Sequence, residues 1–295
     1  MRITQNMSAS NSIYNIMQGR AKLDKLQELT SSGANVNRPS DDPIASRLLL
    51  DIGDKLKAAN QYKSNIAKAE TFMSISSTAL QGMADTMALA KKVVANYTPG
   101  TSDTTVQANT ISQLEALKQQ MVDMGNTQLG DQYVFAGTDN ATPPFSNNTP
   151  PALPVYAGDA TVIDIEVGNN TTEQMNIPGE QLLKAPVDIL KAFDDLIAAV
   201  TANTNAAFTP AANSLEDGAK QITNAQTGLA SRMKRLESLS SMHANNINTL
   251  ENIVGNTQNV DYAKLAVQIS QQKIAFEASL SSTAQLSKMS LLDFM

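Results

Sequence analysis

From Ala45 to Val94 an apolar or small residue returns at every seventh position: Ala45, Ile52, Ala59, Ile66, Met73, Leu80, Met87 and Val94. The other seam position reads Leu48, Lys55, Tyr62, Ala69, Ser76, Met83 and Ala90, with only Lys55 and Ser76 out of keeping. No proline interrupts the run before Pro99. A heptad sustained this long predicts one helix of roughly 50 residues, about 75–80 Å at about 1.5 Å per residue, packed lengthwise on another helix. A second run supplies the partner. Leu215, Ile222, Leu229, Leu236, His243 and Leu250 form one seam, and Ala219, Gln226, Met233, Ser240, Ile247 and Val254 the other. We expect the two long helices to pack antiparallel.

The start and stop signals agree. Thr30-Ser31-Ser32-Gly33 reads as a helix end with Gly33 as its cap. Asp41-Asp42-Pro43 reads as a helix start, Asp42 at the cap and Pro43 at the first helical position. Thr98-Pro99-Gly100 turns the chain, and Ser102 or Asp103 caps a return helix through Leu114 and Met121. Another helix is expected from about Gly179 through Val200, then a loop over 203–211 containing Pro210.

Both ends carry shorter stripes. Ile13, Ile16, Leu23 and Leu26 recur at threes and sevens near the start, and Leu265, Ile269, Phe276 and Leu280 at fours and sevens near the end. Neither holds enough apolar area to fold alone. Each is expected to face water until assembly covers it, as in a subunit that completes its fold with its neighbours.

The middle differs. Residues 131–178 hold six of the eleven prolines. Tyr133-Val134-Phe135, Val155-Tyr156 and Thr161 to Val167 fit strands, with Gly158-Asp159 and Gly168-Asn169 as turns. The fold class expected is mainly α: a long antiparallel helical rod or coiled coil built from both ends of the chain, with a small β-rich insertion domain at its far end. The expected domains are 1–35 with 262–295 as terminal helices, 36–130 with 179–261 as the helical rod, and 131–178 as the insertion.

Composition removes several function classes. The net charge is −6 and the pI about 4.9, which argues against a nucleic-acid surface. The absence of Cys removes disulfide scaffolds, thiol catalysis and Cys-ligated zinc. No apolar run approaches the roughly 18–20 residues of a membrane span, and the N-terminus lacks a secretory signal pattern, so an exported chain would need another route. His243, the only histidine, sits on a heptad seam with neither a second His nor a Cys to join it, and reads as a hydrogen-bonded packing residue that helps set helix register with Gln226 and Ser240. Asp41 and Asp42 could form a catalytic carboxylate pair; between Pro39 and Pro43 they read better as a cap and an ion-pair partner for Arg38. Lys91-Lys92 and the basic residues Arg232, Lys234 and Arg235 read as solvated faces. No catalytic motif is found, and no cofactor is expected.

The segment Leu29-Thr-Ser-Ser-Gly-Ala-Asn-Val-Asn-Arg38-Pro39-Ser40-Asp41-Asp42-Pro43-Ile44-Ala45 resembles the N-terminal signature of bacterial flagellins and their relatives, as do Arg2-Ile3-Thr4 and Met7. Asp261 to Gln268 and Ser290-Leu291-Leu292-Asp293-Phe294-Met295 resemble the family's other end, and Gly228 to Glu237 its long C-terminal helix. The ending, the stretch Gln132-Tyr-Val-Phe-Ala-Gly137 with Pro144-Phe145, and the short insert resemble the branch of that family found at the hook–filament junction. The resemblance implies a secreted, extracellular structural subunit that is not an enzyme, exported through the flagellar type III path. Its implied partners are the first hook-associated protein, flagellin, copies of itself in a ring, and an export chaperone that binds the C-terminal region. It further implies that the terminal helices pair into an inner coiled coil, with Leu291, Leu292 and Phe294 joining the two stripes in the assembly interface. Filament flagellin stays open as an alternative, and so does a flagellin-like surface adhesin or secretion-tip protein.

Overall fold

The computed structural model describes residues 5–145 and 156–292. Six helices account for most of them: α1 (Gln5–Ser32), α2 (Pro43–Ala95), α3 (Thr104–Gly125), α4 (Ile189–Ala202), α5 (Asn205–Gln258) and α6 (Tyr262–Leu292). Two small antiparallel sheets lie between α3 and α4: β1 (Gln128–Leu129) with β2 (Gln132–Tyr133), and β3 (Asp164–Gly168) with β4 (Thr171–Gln174). The chain divides into two compact units, Ala59–Asn245 and a unit made from its two ends, up to Ala58 and from Asn246.

In the central unit α2 and α5 run antiparallel, as their heptads require. The ring of Tyr62 lies 5.5 Å from that of His243, Gln226 Nε2 donates to Gln81 Oε1 at 3.3 Å, and Gly218 lies beneath Met87. The seams Ile66, Met73, Leu80 and Met87 against Leu215, Ile222, Leu229 and Leu236 are buried. Ser76, which breaks the pattern, is buried because its hydroxyl donates to the Phe72 carbonyl at 3.0 Å within its own helix. Helices α3 and α4 wall the seam near the end of α2. The Asp103 carboxylate caps α3 at the Thr104 N–H. Tyr97 Oη and the Gly100 N–H both donate to Asn203 Oδ1, at 2.8 and 2.7 Å; Asn203 ends α4 in the left-handed conformation, with φ 50°.

Several expectations are corrected here. The helix predicted from Gly179 through Val200 is split into a π-helical turn, Glu180–Lys184, and α4. Pro186 forces Ala185 into an extended conformation, with φ −134° and ψ 139°, so no helix passes through it. Asp188 then restarts the helix, its carboxylate accepting from the Lys191 N–H at 3.0 Å. The loop predicted over 203–211 is only residues 203–204; α5 starts at Asn205, with Pro210 inside it. Pro210 removes one backbone hydrogen bond, and burial of Phe208 and Ala211 beside it offsets the loss.

The third correction concerns the insertion, which does not sit at the far end of the helices. Its β3–β4 hairpin lies beside the middle of α2 and α5 through directional contacts. Asn65 Nδ2 donates to the Glu166 carbonyl at 2.9 Å, His243 Nε2 bonds the Val167 carbonyl at 2.7 Å, and Arg235 pairs with the buried Glu173 at 2.7 Å. Two of the basic residues read as solvated are therefore tethers: Arg235 holds Glu173, and Arg232 donates to the Asn176 carbonyl at 3.4 Å. The strands are also shorter than predicted. Val134 and Phe135 leave β2 to become core residues, and β3 starts at Asp164 and pairs with β4, a strand without apolar alternation. Val155 lies outside the described residues.

Candidate assembly surface

The unit built from the chain's ends contains α1, the start of α2, the end of α5, and α6. Helices α1 and α6 are antiparallel partners within one chain. Gln272 Nε2 donates to the Gly19 carbonyl at 3.1 Å, and the Phe276 ring packs over Gly19, where an added Cβ would lie 3.3 Å from Cδ2. Backbone contacts tie the ends of this pair together. Ala34 and Asn259 form an antiparallel bridge, the Asn35 N–H donates to the Gln258 carbonyl at 2.6 Å, and the Val260 N–H to the Gly33 carbonyl at 3.2 Å. Gly33 closes α1 with φ 68°, its N–H donating to the Leu29 carbonyl at 3.0 Å. A side chain there would run into Tyr262 Oη, 2.7 Å from the Cβ position.

The linker from α1 to α2 is held by charge. Lys25 Nζ lies 2.8 Å from Asp41 Oδ2 and 3.3 Å from Glu28, and Arg38 lies 3.3 Å from Glu28. The hydrogen bond from Lys25 holds the Asp41 carboxyl below its usual pKa, and Asp41 in turn raises Lys25. Asp41 also accepts from the Arg38 backbone N–H at 3.2 Å. The guanidinium of Arg38 thus pairs with Glu28, not with Asp41 or Asp42 as the sequence suggested. Asp42 caps α2: its Oδ1 accepts from the Ile44 and Ala45 N–H groups at 3.0 and 2.9 Å, with Pro43 opening the helix.

The predicted stripes are largely spent within the chain. Leu265 is buried, and Ile16, Leu23, Leu26, Ile269 and Phe276 are half-buried; Ile13 and Leu280 stay exposed. The expectation that both stripes face water in a single chain is corrected: α1 and α6 pack on each other, with Phe276 over Gly19. Leu291 and Leu292 belong to α6, but their side chains, like all of Phe294, lie outside the described residues.

A second apolar set, outside the two stripes, is exposed. Met7, Tyr14 and Met17 on α1 and Val267 and Ile274 on α6 are more than half exposed, Met17 at 66% and Ile274 at 64%. Ile44 and Leu50 on α2 reach 84% and 69%. Scattered exposed apolar residues are normal, whereas large contiguous apolar patches mark interaction sites. The signal of this set was present in the sequence as two further seven-residue spacings, Met7 to Tyr14 and Val267 to Ile274.

Residues 3–140 match the bacterial flagellin N-terminal helical region, and residues 213–295 the bacterial flagellin C-terminal helical region. The chain belongs to the bacterial flagellin family. A protein of this family from Escherichia coli K12, flagellar hook-associated protein 3, is 23% identical over 316 residues that span 99% of this chain and 98% of its own. The flagellin of Bacillus subtilis is 23% identical over 309 residues, spanning 97% and 96%. The flagellar junction protein FlgL of Legionella pneumophila has the same fold over 72% of this chain and all of its own, with a TM-score of 0.60 at 13% identity. The outward-facing residues Met7, Tyr14 and Met17 fall within the flagellin N-terminal region, and Val267 and Ile274 within the C-terminal one.

Proposed function

We propose that this flagellin-family chain is a structural subunit of the bacterial flagellum that works as an adapter at the hook–filament junction. The observation that carries the reading is the pairing of α1 with α6 into a unit that still exposes Met7, Tyr14, Met17, Val267 and Ile274. Such a unit is complete within one chain yet still needs neighbours. The fold match to a flagellar junction protein and the near-full-length match to hook-associated protein 3 support the location. On this reading the protein is secreted and extracellular. It contacts the first hook-associated protein on one side, flagellin on the other and copies of itself in a ring, and an export chaperone holds its C-terminal region beforehand. No residue is assigned a catalytic role.

Filament flagellin is the second reading, because the Bacillus subtilis flagellin matches at the same identity over nearly the whole chain. Two measurements separate them. Immunolabelling of isolated flagella should mark one narrow band next to the hook, and purified chain should fail to extend filaments from seeds. Label along the whole filament, or seeded growth, would establish the second reading in place of the first. A deletion strain should shed flagellin into the medium and carry bare hooks.

A further inference from the structure

Gly228 lies in the interior of α5, exposed, and a Cβ built there would meet nothing within 4 Å. Glycine weakens a helix interior relative to alanine, so a helical glycine needs a reason. Elsewhere the reason lies within the chain: Gly82 makes room for Met124, Gly218 for Ile189, and Gly19 for Phe276. Gly53 is as open as Gly228, but Gly228 has a further property. It lines a groove of about 570 Å³ between α5 and the segment 177–187, with Ile177, Val187, Ala225 and Leu229 along its walls. Arg232, one turn further along α5, also lines it. Among the described residues its guanidinium meets a carbonyl, that of Asn176 at 3.4 Å, and no carboxylate, whereas Arg235 has Glu173.

We propose that this groove receives a helix from a second copy of the chain, which approaches the α5 backbone at Gly228 and brings a carboxylate to Arg232. The complementary surface is the outer face of α3. Ser112 and Glu115 are exposed there beside Gln113 and Gln119, and among the described residues Glu115 has no ion pair. The acid on one surface answers a cation that has a carbonyl but no carboxylate on the other. Because groove and α3 face are different surfaces, the contact runs head to tail from copy to copy, and a head-to-tail contact that closes forms a ring. The inference rests on the junction reading and names which surfaces join neighbouring copies.

The test uses full-length chain expressed in the deletion strain, scored by immunolabelling of isolated hooks. Gly228→Leu should keep the melting temperature of the purified chain at or above wild type, since the site is open, yet reduce label on hooks at least tenfold. Arg232→Glu and Glu115→Arg should each reduce it similarly, and the double variant should restore it, because every copy then carries both changes. Wild-type labelling with Gly228→Leu overturns the proposal. So does failure of the double variant to restore what each single change removes, which would place a different protein in the groove. Absence of label with the wild-type chain would instead sink the junction reading itself.

Discussion

Gly19 and Phe276 face each other across the terminal helix pair, 257 residues apart in sequence, and the aromatic ring packs over the glycine. A Cβ at Gly19 would lie 3.3 Å from Cδ2, close enough that the ring must shift a few tenths of an ångström. Gly19→Ala should be near neutral, because better helix propensity offsets the small push. Gly19→Leu should overpack the contact and cost about 1–3 kcal/mol. Hydrogen exchange in α1 and α6 should accelerate for the leucine variant and hardly change for the alanine one. Equal protection in both would show that the two helices do not meet at Gly19.

Asp42→Ala removes the acceptor of two N–H groups at the start of α2. The loss should be about 0.5–2 kcal/mol, and Asp42→Asn or Asp42→Ser should recover most of it. Thermal unfolding followed by circular dichroism checks this. An unchanged melting temperature in Asp42→Ala would mean that the cap contributes nothing.

The Lys25–Asp41 pair gives the linker a pH dependence of known sign. The folded pKa of Asp41 lies below its unfolded value, so its contribution is fully present above the ordinary carboxylate range and is lost as pH falls through the folded pKa. The folded pKa of Lys25 is raised, so its contribution holds below the ordinary lysine range and is lost only as pH rises through the folded value. Protection of the amides of residues 33–42 should therefore be flat through neutral pH and fall at acid pH. Asp41→Asn should show the low protection already at neutral pH; wild-type protection in that variant would exclude the pair as a clasp.

His243→Leu should loosen the β3–β4 hairpin. The imidazole is buried, and its Nε2 supplies the hydrogen bond to the Val167 carbonyl. Leucine fills similar space but leaves that carbonyl without its partner, at a cost of about 1–3 kcal/mol. Exchange should rise at residues 164–174 and stay low in α3. A hairpin as protected as in the wild type would mean that Asn65 and Arg235 hold it alone.

Much of the architecture is legible in the amino-acid sequence alone. The heptads of residues 45–94 and 215–254 specify α2 and α5 and predict that they pack together, because a seven-residue repeat places one apolar stripe along a helix and a stripe of that length has few other ways to be buried. Gly33, Asp42 and Asp103 carry helix ends that depend on the residue itself: a left-handed backbone in the first case, a side-chain acceptor in the other two. Only the tertiary structure decided the rest. Whether Pro210 sits in a loop or in a helix depends on what Phe208 and Ala211 can bury against. The partner of Arg38 is Glu28 because α1 brings that carboxylate to the linker, and Asp41, three residues from Arg38, is taken by Lys25. Helix α1 lies beside α6, with the Ala34–Asn259 bridge joining their ends, and Met17 and Ile274 stay exposed. Periodicity states which side of a helix is apolar; which surface covers that side is settled by competition among segments far apart in the chain.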